Sequence, residues 1–343
     1  MTKRRATIQD VALAAGVSTA TVSRVLSKPD LVSENTRLSV FNAVKSTRYR
    51  INRAAQNLRM QRAGAVLVLV PNLGKPFYSK ILSGISDGFA ESGLSVLITD
   101  TESRPLSGGD LAGRFLDGTI DGVISMDGDV DQAILKHCQD ANVADRIVFS
   151  CVWVDDPTFP CVRSDNEMGA RLAIRHLHDL GHRKIAHVTG PKGNVLAGAR
   201  RRGMLEERAQ LDLPARPEWI IRGDFSLDSG KRAAVTIAEI SNKPTAVFCA
   251  ADTVAFGLIS GLNARGLRVP EDISVVGFDD IEMSESFVPA LTTIRQDRHR
   301  IGLLSAEKLL ERIAGKTENA ADKVLDVELV VRSSTAPPNP KIL

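Results

Sequence analysis

Cysteine is scarce: four in 343 residues, at positions 138, 151, 161 and 249, with no two spaced as CxxC. That scatter argues against a disulfide framework or a structural zinc site and fits a reducing compartment. Long apolar runs are also missing. The longest, such as Ala65–Val70, are about six residues, against the roughly 18 needed to cross a bilayer. The first residues, MTKRRATIQD, are basic with no apolar stretch behind them, so no secretory signal is expected and the expected location is cytoplasmic. The glycines of GPKGNVLAG (190–198) lack the G-x-x-x-x-G-K-[ST] pattern of a phosphate loop, which argues against nucleotide hydrolysis. His176, His178, His182 and His187 lie close in sequence. On a helix, however, 176 and 178 point about 200° apart, so no shared metal is expected. SGGD (107–110) reads as a surface loop.

The rest of the composition is that of a soluble globular chain, 43% hydrophobic and 25% charged, long enough for two or three domains. The net charge of +3 conceals a division. Residues 1–62 hold 12 Lys and Arg against three acids, a balance of +9; the remainder holds 32 against 38, a balance of −6. A basic head on a mildly acidic body is the pattern of a nucleic-acid-binding module joined to something else.

The head reads as three short helices. Thr7 and Asp10 form a capping-box pair, and Ile8, Val11, Ala12 and Ala15 recur at helical spacing until Gly16. Ser18 is placed to cap a second helix, Thr19 to Leu26, with Val22, Val25 and Leu26 inward and Pro29 beyond its end. Ser33 is placed to cap a third, Glu34 to about Thr47, packing through Val40, Ala43 and Val44. Ala12, Gly16 and Val22 are the small residue, turn glycine and apolar anchor of a helix-turn-helix. The second helix then presents Thr19, Ala20, Ser23 and Arg24 outward, where a recognition helix meets base edges. Arg24 can bond guanine in bidentate fashion and Ala20 can meet a thymine methyl. Lys28, Arg37, Lys45, Arg48 and Arg50 are candidates for phosphates.

TIQDVALAAGVSTATVSRVLSKPDLVSENTR (7–37), continued by Tyr49, Asn52 and AAQNLR, resembles the DNA-binding headpiece of the lac repressor/galactose repressor family. The resemblance implies that Thr7, Ser18, Thr21, Asn35, Tyr49 and Asn52 join the DNA contacts. It also implies that residues 51–62 are a hinge helix placing Leu58 as a minor-groove wedge. Two positions depart from that pattern. Thr47 replaces a larger apolar residue, and Arg48 stands where glycine often ends the third helix.

The body alternates strand and helix in two series, which predicts parallel sheets with helices on both faces and two similar lobes. The expected fold is thus α/β: an all-α helix-turn-helix headpiece (1–50) plus two doubly wound lobes, which the family resemblance implies are periplasmic-binding-protein-like. The resemblance implies that the chain returns to the first lobe, which is assigned residues 63–163 and 295–325, with 164–294 and 326–343 in the second. One final strand is expected near Val324–Val331. Ligands of open α/β sheets bind beyond the carboxyl ends of the strands. Asn72, Phe77, Tyr78, Asp165, Arg200, Phe225 and Asp279 fall there, and suit a polyhydroxylated or heterocyclic molecule. GHRKIAHVTGP (181–191), PTAVFCAAD (244–252), GLRVPEDISVVGFDD (266–280) and PALTTIRQD (289–297) extend the resemblance to nearly the whole chain. It implies that Phe77, Tyr78, Asp165, Arg200, Phe225 and Asp279 bind an effector. Asn194 and Leu196 depart from the family pattern, and Leu196 disfavours a highly charged effector.

The reading is a DNA-binding transcription regulator, with repression the expected sign. A sugar or nucleoside effector would control its affinity for a pseudo-palindromic double-stranded operator. It is expected to have no cofactor, metal or membrane partner. SSTAPPNPKIL (333–343) has no leucine heptads, so a homodimer is expected over a tetramer. The rival is a solute-binding or sugar- or nucleoside-processing protein on the same lobes. That rival would need an export signal, or an acid/base or nucleophile constellation, neither of which is expected here.

Overall fold

A computed structural model describes residues 6–49, 62–106, 110–316 and 321–340. The chain divides into two units at residue 62. The first unit holds α1 (Ile8–Ala15), α2 (Thr19–Ser27) and α3 (Glu34–Thr47). Local chemistry sets their ends. The Thr7–Asp10 capping box forms, with Thr7 N–H donating to Asp10 Oδ2 at 2.7 Å, and Gly16 ends α1 at φ 67. Ser18 Oγ accepts from Thr21 N at 3.1 Å at the start of α2. Ser33 sits at the N-cap of α3 but makes no cap bond, its hydroxyl pairing instead with that of Thr36. Val11, Ala12, Val22, Val25, Val40 and Ala43 are buried at the centre of the three helices. Pro29 opens a short 3₁₀ turn, Pro29–Leu31, between α2 and α3.

The second unit contains two six-stranded sheets. The first has the order β11-β5-β4-β3-β1-β2 and is parallel throughout, formed by β1 (Ala65–Val70), β2 (Ser95–Asp100), β3 (Gly122–Ser125), β4 (Ile147–Ser150), β5 (Cys161–Ser164) and β11 (Lys323–Leu325). The second has the order β12-β10-β9-β8-β6-β7, formed by β6 (Ile185–Val188), β7 (Ile220–Ile221), β8 (Ala246–Cys249), β9 (Ser274–Asp279), β10 (Thr292–Gln296) and β12 (Val327–Val330). Among the described strands, only β12 runs antiparallel, against β10. Buried strands such as AVLVLV and AVFC bury every residue, because helices cover both faces.

The helices α4 (Phe77–Phe89), α5 (Asp110–Leu116), α6 (Gln132–Asp140) and α12 (Arg298–Ile313) serve the first sheet. The second sheet carries α7 (Asn166–Asp179), α8 (Val195–Gln210), α9 (Leu227–Glu239), α10 (Asp252–Asn263) and the one-turn α11 (Met283–Ser286). The chain crosses between lobes three times: from β5 to α7, from β10 to α12, and from β11 to β12.

Several expectations change. The strand expected near Val324–Val331 is two strands in different sheets, with Asp326 between them at the crossing. The boundary placed at 295 moves two residues on, because Arg295 and Gln296 still belong to β10 of the second sheet. α8 begins at Val195, where Asn194 Oδ1 accepts from Leu196 and Ala197 N–H, so the departure at Asn194 from the family pattern serves as a helix cap. Of SGGD, only Asp110 is described, and it opens α5. Asn52, Leu58 and nearly all of the expected hinge helix lie outside the described residues.

Candidate functional site

Two sites emerge, one in each unit. On the headpiece, burial of Val22 and Val25 fixes the rotation of α2, so Thr19, Ala20 and Arg24 are exposed and Ser23 is partly so. Ser18 and Asn35 are also exposed, each in or beside the first turn of its helix. Thr7 and Thr21 are tied locally, Thr7 by its capping box and Thr21 through its hydroxyl to Ser18 Oγ at 2.9 Å. Tyr49 packs its ring on the headpiece core beyond α3. The face has a short polar row and one long cation, with hydroxyls and a methyl between, as base-edge reading requires.

Between the lobes lies a cavity of about 160 Å³. Phe77 and Tyr78 enter it from the start of α4, their rings edge to face at 5.2 Å. Arg200, Phe225 and Asp279 enter from the second lobe, and Leu196 supplies an apolar wall. Arg200 is 2% exposed and held on all sides. Its Nε donates to Asn166 Oδ1 at 2.9 Å, Nη1 to the Ala250 carbonyl, and Nη2 to Asp279 Oδ1 at 3.2 Å. Its guanidinium lies 3.7 Å from the centre of the Phe278 ring. Gln296 Nε2 also donates to Asp279 Oδ1, at 2.7 Å. Both bonds reach the same carboxylate oxygen.

Burial pushes the Asp279 carboxyl up, against the opposing pull of the Arg200 and Arg298 guanidiniums and the Gln296 hydrogen bond. Burial also pushes Asp252 up, helped by the charge of Asp279, although Thr293, Ile281 and Ser284 all donate to its carboxylate. Backbone strain gathers at this site: Asp279 has φ 114, Asp280 52, Phe225 62 and Cys151 61. Non-glycine residues hold such angles only where their surroundings over-determine them.

Phe77, Tyr78, Arg200, Phe225 and Asp279 therefore share one cavity. Asp165 does not line it. Its carboxylate caps α7 by accepting from Met168 N at 2.9 Å, and the next residue, Asn166, turns inward to orient Arg200. Asn72 is likewise spent elsewhere, donating to Glu102. Sequence reasoning missed Asp127, Asp129 and Thr253, which also line the cavity. All three follow the carboxyl ends of strands, the signal that selected the others. Among the described residues, no three His, Cys, Asp or Glu side chains gather to hold a metal. His182 is bonded to Thr245 and the Ala336 carbonyl, and His187 to the Phe248 carbonyl.

Comparison with known proteins matches residues 7–52 to the model of bacterial regulatory proteins of the lacI family, and residues 174–335 to a periplasmic binding protein-like domain. The transcriptional repressor CytR of Escherichia coli K12 is 33% identical over 335 residues, covering 96% of both chains. PurR of Aliivibrio fischeri MJ11 is 35% identical over 332 residues, covering 96% of this chain and 98% of that one. The structure is similar to a lac repressor dimer bound to operator and the anti-inducer ONPF, with a TM-score of 0.82 at 32% identity over 97% of this chain and all of that one. It is also similar to a CelR–cellobiose complex, with a TM-score of 0.72 at 31% identity over 96% of this chain and all of that one. The chain belongs to the lacI family of bacterial regulatory proteins, and is a helix-turn-helix DNA-binding transcription regulator rather than an enzyme.

Proposed function

We propose that the protein represses transcription from a pseudo-palindromic operator, and that a sugar or nucleoside bound between the lobes controls its affinity for that DNA. The buried Arg200–Asp279 pair carries this reading. A guanidinium fixed on three sides and a carboxylate beside it suit ligand hydroxyls, while Phe77, Tyr78 and Phe225 offer flat faces. The cavity draws on both lobes, so a ligand's contacts differ between their open and closed arrangements. Only such a difference can shift the operator equilibrium, typically by about 1–3 kcal/mol.

A homodimer places two headpieces on a two-fold axis, which makes the half-sites symmetric. Apolar residues exposed on each lobe suit a second copy: Leu97 and Ile98 on the edge strand β2, Met283 at the start of α11, and Val288 just beyond its end. The headpiece reads bases through Thr19, Ala20, Ser23 and Arg24, with Thr7, Ser18, Thr21, Asn35 and Tyr49 in support. A DNA contact by Asn52 and a minor-groove wedge by Leu58 belong to the same reading, as does a cytoplasmic location beside the DNA. A thermal-shift screen of sugars and nucleosides, followed by operator gel shifts with each hit, tests the proposal. A compound that raises the melting temperature and changes operator affinity supports it. Hits that leave operator affinity untouched, or that the protein converts to product, overturn it.

A further inference from the structure

A second pocket opens beside the effector cavity, about 430 Å³ in volume. The first lobe contributes Trp153 and Asp155; the second contributes the 190–194 turn with Lys192, and Arg201, Arg202 and Arg222. Arg202 is neutralised by Glu167, with Nη2 to Oε1 at 2.7 Å. Among the described residues, Lys192, Arg201 and Arg222 have no ion-pair or hydrogen-bond partner, and Asp155 is the one carboxylate lining the pocket. Three cations against one carboxylate on the same concavity leave a net positive potential there. Two are arginines, whose planar donor forks match phosphoryl oxygens.

The N-terminus of α8 is not the source of this attraction, because Asn194 Oδ1 already accepts from Leu196 and Ala197 N–H. The pocket shares Pro191 and Asn194 with the effector cavity, and consecutive residues of α8 divide between the two: Arg200 faces the cavity and Arg201 the pocket. Leu196 gives the cavity an apolar wall on the α8 side, whereas the unpaired cations line the pocket.

We propose that this pocket binds a phosphoryl dianion at the mouth of the effector cavity. The anion is either the phosphate arm of a ligand whose uncharged part occupies the cavity or a separate phosphorylated molecule. Only the first alternative rests on the cavity being the effector site.

Isothermal titration of the full chain at low salt tests the site with inorganic pyrophosphate and two matched pairs, glucose with glucose 6-phosphate and adenosine with adenosine monophosphate. The expected result is binding of at least one phosphorylated compound that weakens tenfold or more in Arg201→Gln/Arg222→Gln. Any binding of glucose or adenosine persists in that variant. Both substituted positions are exposed, and an unchanged melting curve checks folding. Leu196→Trp, which fills the cavity, separates the two sources. It reduces a phosphorylated sugar or nucleoside to the affinity of pyrophosphate if the phosphate is an arm, and leaves binding unchanged if the anion is separate. The inference is overturned if no phosphorylated compound binds better than its neutral counterpart, or if the double variant retains full affinity, which would place the anion elsewhere, such as on the basic headpiece. Neutral binding that persists while the phosphate adds nothing sinks this site and leaves the effector reading intact.

Discussion

Arg48 ends α3 in the left-handed region, at φ 54 and ψ 32. A β-carbon there costs about 1–2 kcal/mol, and glycine avoids most of that cost at the expense of some chain entropy. Arg48→Gly is expected to stabilise the headpiece by about 1 kcal/mol, a roughly fivefold gain in amide-exchange protection at Val22, Val25 and Val40. Unchanged protection would show that the strain is relieved elsewhere. Two neighbouring cations separate by role. Arg24 lies on the outward face of α2, so Arg24→Ala is expected to lose about 1–3 kcal/mol on the operator and far less on random DNA. Lys45 is exposed in the last turn of α3, and Lys45→Ala is expected to weaken both DNAs alike. Parallel titrations on operator and scrambled DNA check the pair; equal losses for both variants would remove the distinction. His187 is a different kind of residue. It is fully buried, stacked on Phe248 at 4.7 Å, and its Nε2 has no partner. Burial lowers its pKa to about 4, from an ordinary value of 6.5. The unfolded chain therefore binds the extra proton first as pH falls, and the folded state loses stability between pH 6.5 and 4 by about 3 kcal/mol. Urea melts across that window should show a shallower loss for His187→Leu, and identical slopes would refute the assignment.

At the scale of elements, the closest contacts are between helices. α4 and α12 cross at Gly84 and Gly302, where a β-carbon on Gly84 would overlap the His299 carbonyl and one on Gly302 the Ile81 carbonyl. Backbone cannot retreat as a flexible side chain can, so Gly302→Ala is expected to destabilise the body by about 1–3 kcal/mol or more. A calorimetric melt of the full chain measures this, and an unchanged transition would mean the helices separate at no cost. Neither glycine is marked by its sequence; the crossing is a tertiary fact. Legibility divides along that line. The three headpiece helices were readable because caps, turn glycine and apolar spacing are local signals. The short buried strands were readable because continuous apolar runs between turns leave few alternatives. β5, only CVRS, carries too few residues to stand out, and the split of β11 from β12 depends on where the chain changes lobes. At the site, Phe77, Tyr78, Arg200, Phe225 and Asp279 were legible as residues beyond strand ends or within the family pattern. Asp165 was misplaced by one position because the phase of a helix start decides which neighbour faces Arg200. Asp127 and Asp129 were lost in a stretch, DGDVD, that reads as an ordinary loop.

For the whole molecule, the division at residue 62 turns a small net charge into a statement about energy. The headpiece carries the +9 balance and the body −6, so attraction to DNA phosphates resides in the first unit. A dimer that neutralises about six to ten phosphates loses about 10³–10⁵ in affinity between 50 and 200 mM salt, because each contact releases condensed counterions. The body has its own cores and crosses between lobes three times without the headpiece, so it is expected to fold when residues 1–62 are removed. The truncated body should then bind its small ligands with unchanged affinity and fail to shift operator DNA at any salt concentration tested. The intact chain should show the steep salt slope. Retained operator binding by the truncated body, or a flat slope for the intact chain, would mean that the acidic unit contacts DNA, contrary to its charge. Loss of ligand binding on truncation would mean that the cavity needs the headpiece, contrary to a lining drawn entirely from residues after 62.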